Sequence, residues 1–69
     1  MDYMAIGERV RISRKSLGIT QEKLAEMIDV STSFIGHIER GTRKLSVETL
    51  ASICKALGVS ADFLMGLDE

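Results

Sequence analysis

A run of polar and basic residues lies in the middle of this 69-residue chain, and its side chains are suited to binding an anionic partner. From Ser31 to Lys44 the sequence reads STSFIGHIERGTRK. Hydroxyl, imidazole, guanidinium and ammonium groups can donate hydrogen bonds, and the cations among them can pair with phosphate. The residues that carry these groups are Thr32, Ser33, His37, Arg40, Arg43 and Lys44. This pattern indicates reversible binding.

The same sequence offers little for catalysis or metal binding. It contains one histidine and one cysteine, and no Ser-His-Asp or Cys-His set that helices could bring together. No glycine-rich phosphate loop follows a predicted strand. His37 and Glu39 are two positions apart, so they point to different faces of a helix. We therefore expect no enzymatic activity, no metal, no cofactor and no small-molecule ligand.

The charge of the chain is small in total but unevenly distributed. The formal net charge is −1, yet residues 9–44 hold eight basic and four acidic residues, while the two ends of the sequence are acidic. A positive region of this kind can steer an anionic partner even when the net charge is near zero.

The sequence predicts a cytoplasmic protein. Cys54 is the single cysteine, so no intrachain disulfide can form. No signal-peptide pattern is present, and no apolar run approaches the roughly 20 residues of a membrane span, so no membrane association is expected. Cys54 is interpreted as a small buried apolar residue, with a redox sensor as the alternative.

Capping residues divide the chain into five predicted helices. The first lies between Met4 and Leu17, with Ile6, Val10 and Leu17 on one apolar stripe, and ends at Gly18. The others each begin after a serine or threonine cap, and glycines follow three of the five helices. They are predicted at residues 21–28, 32–40, 47–57 and 61 to about 65. With no strand pattern, residues 1–69 are expected to form one all-α domain, a compact five-helix bundle.

The second and third predicted helices are separated by a very short turn, so they must cross sharply. That is helix-turn-helix geometry, in which the later helix can enter a DNA major groove. Ile35 and Ile38 supply the buried face of this helix. Thr32, Ser33, Gly36 and His37 are expected on the opposite face.

Gly36 lies in the interior of the third predicted helix, where glycine lowers helix stability by about 0.5–1 kcal/mol relative to alanine. The interpretation is that a bare position lets the helix backbone come close to base edges. Two alternatives stay open: Gly36 packs closely against a neighbouring helix, or it is merely tolerated at the surface.

The segment LGITQEKLAEMIDVSTSFIGHIERGTRKLSVETLASICKALGVS resembles the helix-turn-helix domain of phage repressor and Cro-type regulators. The resemblance covers about residues 6–64. It implies that Thr32, Ser33 and His37 read base edges, and that Gln21, Arg40, Arg43 and Lys44 contact backbone phosphates. It also implies an internal ion pair between Arg14 and Glu39. Leu45, where a proline is common, and Ser13, where a leucine is usual, depart from the pattern.

The expected function is sequence-specific binding of double-stranded DNA by a small transcriptional regulator that acts as a repressor. A homodimer on a palindromic operator is expected, since a single helix in one groove makes few contacts. Phe63 and Leu64 are assigned to the core, leaving Met65 and Leu67 in the C-terminal segment SADFLMGLDE for the dimer interface. The alternative is a protein-interaction module on the same fold, such as an antitoxin-like or anti-repressor partner.

Overall fold

The computed structural model describes residues 1–67, and within that range the chain forms five helices and no strand. The helices are α1 (Tyr3–Ser16), α2 (Gln21–Ile28), α3 (Thr32–Arg40), α4 (Val47–Leu57) and α5 (Ala61–Met65). The all-α fold class is confirmed, and the bounds of α2 to α5 are those predicted. The last two residues of the predicted 1–69 domain, Asp68 and Glu69, lie outside the described residues.

Side-chain caps fix where the helices begin. Hydroxyl oxygens of Thr20, Ser31, Ser46 and Ser60 each accept a hydrogen bond, at 3.0–3.1 Å, from the backbone N–H three residues later. Asp2 caps α1 in the same way, with Oδ1 accepting from Ala5 N at 3.0 Å. These bonds satisfy donors that have no partner within the helix. Each cap joins residues only three positions apart, so the start of each helix can be predicted from the local sequence.

The core is shared by all five helices. Its buried apolar residues are Ile6, Val10, Leu24, Ala25, Ile35, Ile38, Ile53, Leu57 and Leu64. Gly7 lets α1 lie directly on α3, because a Cβ there would meet the carbonyl oxygen of Ile38 and would stand 2.7 Å from that of Glu39. This close approach fixes the position of α3 relative to α1 at the C-terminal end of α3.

The turn between α2 and α3 is closed by a strained residue. Asp29 has φ 60° and ψ 50°, and it is the one non-glycine residue with positive φ in residues 1–67. Val30 N then donates to Ala25 O at 3.0 Å, which stops α2 and directs the chain into α3. The left-handed conformation is less costly for aspartate than for most residues.

Two core assignments made from the sequence are wrong. Leu17 follows the last residue of α1 as its C-cap and is exposed, so it leaves the apolar stripe. Phe63 is 38% exposed, whereas Leu64 is fully buried. Adjacent residues on a short helix point in different directions, and α5 is oriented so that Leu64 enters the core. Ile28, Leu50 and Cys54 are half-buried against the core.

Candidate nucleic-acid interface

Helix α3 has one buried and one polar face. Ile35 and Ile38 lie in the core, while Thr32, Ser33 and Arg40 are exposed and His37 is half-exposed. Among residues 1–67, the large exposed apolar side chains lie on other elements, so none of them is on α3. The structure therefore presents the polar face of α3 on the surface, where the sequence placed it.

Gly36 is covered by a side chain of its own helix. A Cβ at this position would lie 3.0 Å from Nη1 of Arg40, and 3.6 Å from its Cζ and Nη2, which are the three nearest atoms. The interpretation that Gly36 leaves the backbone bare is therefore wrong for this structure. These three atoms belong to the same helix, so they do not support the alternative of close packing against a neighbouring helix. The glycine makes room for the guanidinium of Arg40.

The imidazole of His37 is held by Thr42, which follows the glycine at the end of α3. Nδ1 of His37 lies 2.9 Å from Oγ1 of Thr42, and that oxygen lies 3.2 Å from the His37 carbonyl oxygen. Thr42 has a single hydroxyl proton, so both hydrogen bonds form together only if Nδ1–H donates to Oγ1 and the hydroxyl donates to the carbonyl. In a neutral ring, Nε2 is then the acceptor nitrogen.

Arg43 and Phe34 form the edge of this polar face. The Cζ of Arg43 lies 5.2 Å from the centre of the Phe34 ring, within cation–π distance. A shallow depression of about 420 Å³ lies beside them, lined by Val30, Ser31, Ser33, Phe34, His37 and Arg43. The ring of Phe34 is half-buried against the core.

Basic groups on and next to the end of α3 have no acidic partner among residues 1–67. Across the described range 1–67, the ion pairs are Arg11–Glu8, Arg14–Glu39 and Lys23–Glu26. Arg40, Arg43 and Lys44 take part in none of them. Their positive charges are therefore available to an anionic partner.

The one acidic side chain of α3 is neutralised internally. Nε and Nη2 of Arg14 donate to Oε2 and Oε1 of Glu39 at 2.6 and 3.0 Å, and Nη1 donates to the carbonyl of Ile19 at 2.9 Å. The side chains of Arg14 and Glu39 are 8% and 3% exposed. Nε2 of Gln21 adds a third donor to Glu39 Oε1 at 3.0 Å. This cluster ties together α1, α2 and α3.

The protonation of Glu39 follows from these contacts. Burial disfavours its charged form, but the hydrogen bonds from Arg14 and Gln21 outweigh burial and hold the pKa of Glu39 below its ordinary value. The hydrogen bond to Glu39 raises the pKa of Arg14. Burial alone raises the pKa of the Cys54 thiol, which makes it a poorer nucleophile.

The structure brings most of the predicted site residues to one region of the surface. Thr32, Ser33, His37 and Arg40 share the polar face of α3, and Arg43 lies beside it. Gln21 instead contacts the buried acidic residue of α3, because one of its two amide hydrogens donates to Glu39. Thr42 was missed by sequence reasoning, although its position directly after the helix-ending glycine is the local signal that could have pointed to it.

Two features are absent from the part of the chain that the structure describes. No three histidine, cysteine, aspartate or glutamate side chains within residues 1–67 are grouped so that they could hold a metal ion. In the same range, each helix is too short or too polar to cross a membrane.

Comparison with known proteins identifies the family. Residues 10–64 match the family model described as Helix-turn-helix. The control protein C.BamHI of Bacillus amyloliquefaciens is 41% identical over 63 residues, covering 90% of this chain and 78% of that protein. A crystal structure of the P22 c2 repressor in complex with a synthetic operator is 40% identical, with a TM-score of 0.85, and covers 91% of this chain and 96% of that one. The chain belongs to the helix-turn-helix family of phage repressors and controller proteins.

Other relatives are much longer than this chain. The HTH-type transcriptional regulator RamB of Mycobacterium tuberculosis is 38% identical over 69 residues, which is 100% of this chain and 15% of that protein. This chain therefore corresponds to a small part of RamB.

Proposed function

We propose that this protein binds double-stranded DNA in a sequence-specific manner and regulates transcription, acting as a repressor. The observation that carries the proposal is the polar face of α3, whose hydrogen-bonding groups are exposed and whose flanking cations have no ion-pair partner within residues 1–67. Its relatives are named as regulators, a repressor and a control protein, none of them an enzyme. A DNA-binding regulator of this kind acts in the cytoplasm.

In this proposal α3 lies in the major groove, with Thr32, Ser33 and His37 at base edges. The acceptor Nε2 of a neutral His37 suits the exocyclic amino group of adenine or cytosine. Arg43 and Lys44 contact phosphates, which position the protein without reading sequence. Gln21 donates its remaining amide hydrogen to a phosphate at the N-terminus of α2, where the helix dipole favours an anion. Arg40 was predicted to join the phosphate contacts, and its guanidinium lies over Gly36.

The buried Arg14–Glu39 pair has a supporting role. A carboxylate on the helix that enters the groove would repel phosphates if it were exposed. Here the two donors of Arg14 and the amide of Gln21 satisfy it on the inner side of α3. The pair therefore stabilises the orientation of α3 and removes a charge that would oppose binding.

We further propose a homodimer on a palindromic operator, with half-site centres about 34–36 Å apart. Leu67 is 65% exposed beyond α5 and can supply apolar contact area. Met65 is half-buried, so it would contribute a smaller share. The exposed ring of Phe63 adds to the same C-terminal region. Asp68 and Glu69, which complete the predicted segment, lie outside the described residues.

The protein-interaction module is less well supported. A surface that binds protein relies on apolar or aromatic anchors at its centre. In residues 1–67 the large exposed apolar side chains lie at the N-terminus, on and just after α1, on α2, at the start of α4 and in the C-terminal region, and none lies on α3. That distribution favours a nucleic-acid partner for α3.

The proposal is tested by selecting sites from random-sequence DNA and measuring affinity by fluorescence anisotropy at several salt concentrations. We expect one enriched palindromic sequence, bound more tightly than scrambled DNA, with affinity that falls as salt rises. The double variant Arg43→Ala/Lys44→Ala should weaken binding to every sequence alike and reduce the salt slope by about two units.

Lys55→Ala is the matched control, since it removes a positive charge from α4, next to Met27 and Asp29 and away from the polar face of α3. It should leave both affinity and salt slope unchanged. A folded wild-type protein that enriches no sequence would contradict the proposal and favour the protein-partner alternative.

A further inference from the structure

Arg40 differs from the other cations near α3 because its guanidinium lies over a glycine, Gly36. Gly36 lies on the outer side of α3 yet is buried, and the atoms nearest to its missing Cβ all belong to Arg40. An alanine there would stabilise an isolated helix. The glycine therefore has a local structural consequence: the guanidinium can lie against the helix backbone.

The direction of the side chain decides what it can reach. Side chains on a helix lean towards its N-terminus, so a residue covers the turn that precedes it. Arg40 follows this rule, with Nη1 3.0 Å from the Cβ position of the residue four places earlier. Its charge is thus placed over the middle of α3, between the helix end and the exposed side chains of Thr32 and Ser33.

That position differs from the position of Arg43. Arg43 lies beyond the end of α3, against the ring of Phe34 at the edge of the polar face. The guanidinium of Arg40 instead lies on the face that the proposed function directs towards base edges. It has no ion-pair partner within residues 1–67, so its donors remain free for a ligand.

We propose that Arg40 reads a guanine in each half-site, with its guanidinium donating two hydrogen bonds to O6 and N7, and that Gly36 positions it for this contact. Paired donation from arginine to guanine is the commonest base-specific contact in the major groove. The inference rests on the proposed DNA-binding function and reassigns Arg40 from phosphate contact to base recognition.

The test compares two variants that each remove one guanidinium, Arg40→Ala and Arg43→Ala, using the sequence enriched by the wild-type protein. Affinity is measured for that site and for a set of DNAs with each base pair changed in turn. Arg40→Ala should abolish the preference for one G·C pair per half-site, a loss of about 5- to 150-fold in discrimination at that position only. Arg43→Ala should lower affinity for all of the DNAs by the same factor.

Gly36→Ala tests the positioning role. Its new Cβ would lie 3.0 Å from Nη1, so the guanidinium would have to move by a few tenths of an ångström. Discrimination at the same G·C pair should therefore fall in the presence of Arg40 and should not change further in the Arg40→Ala background. Circular dichroism establishes that each variant is folded.

If Arg40→Ala weakens every sequence equally, as a phosphate contact would, the inference is overturned while the proposed function stands. If the wild-type protein itself selects no sequence, the proposed function fails and this inference fails with it.

Discussion

Arg14 and Glu39 form a buried two-hydrogen-bond ion pair, with donor–acceptor distances of 2.6 and 3.0 Å, that joins α1 to the helix proposed to enter DNA. Gln21 makes a third contact with the same carboxylate, at 3.0 Å. A change in any of these residues therefore alters the support of α3, even though the ion pair itself faces away from the polar surface.

Removing one member of the pair should strongly destabilise the fold. Glu39→Ala leaves the guanidinium of Arg14 buried without its carboxylate, and we expect the free energy of unfolding to fall by about 3–5 kcal/mol. Urea denaturation followed by circular dichroism measures this change. The double variant Arg14→Met/Glu39→Leu removes both charges together and should recover most of the loss. A single variant within about 1 kcal/mol of wild type would show that the pair contributes little.

Stability should decline in acid because of Glu39. Its pKa is lower in the folded chain than in the unfolded chain, so its contribution is present above the ordinary glutamate value of about 4.3 and is lost as the pH falls through the lowered value. Glu39→Gln lacks this titration. The difference in unfolding free energy between wild type and Glu39→Gln should therefore be larger at about pH 7 than at about pH 3. An equal difference at both pH values would contradict the assignment.

The two helix-interior glycines of α1 and α3 should respond oppositely to alanine. At Gly7 a methyl group would collide with backbone carbonyl oxygens of α3, so Gly7→Ala should destabilise the protein by about 1–3 kcal/mol or more. At Gly36 the neighbour is the flexible end of Arg40, so Gly36→Ala should stabilise the protein by about 0.5–1 kcal/mol. Thermal denaturation of the two variants side by side distinguishes these effects, and a shift in the same direction for both would refute them.

His37 should contribute to site preference through an anchored ring. His37→Ala should reduce discrimination at one base pair by about 1–3 kcal/mol. Thr42→Val keeps the shape of the neighbour but removes its hydroxyl, so the ring loses the contact at 2.9 Å. We expect a smaller loss at the same base pair, with no change in the salt slope, when both are compared by anisotropy on singly substituted operators. A loss spread over all positions would place His37 at a phosphate.

The sequence was sufficient to predict the helices and the polar face of α3. Ser31 and Gly41 mark the two ends of α3 through contacts that span a few residues, and its apolar positions repeat with the helical period. The Arg14–Glu39 pair was available only through the resemblance to a known family, because the two residues are 25 positions apart.

Other features depend on how the helices pack and could not be read from the sequence. The choice of Leu64 over Phe63 for the core depends on the rotation of a five-residue helix. The bond between Gln21 and Glu39 depends on how closely α2 approaches α3. The position of Arg40 over Gly36 depends on the conformation of a long, exposed side chain, which a residue pattern does not specify.

The covering of Gly36 by Arg40 has a consequence for engineering altered binding preferences. Positions 32, 33 and 37 can each be varied in a library with the buried side of α3 left intact. Positions 36 and 40 behave as a linked pair, since any side chain at the first changes the space available to the second. A library that randomises position 40 over a fixed glycine would leave that space unchanged, so both codons should vary together when new specificities are sought at this point of the proposed operator.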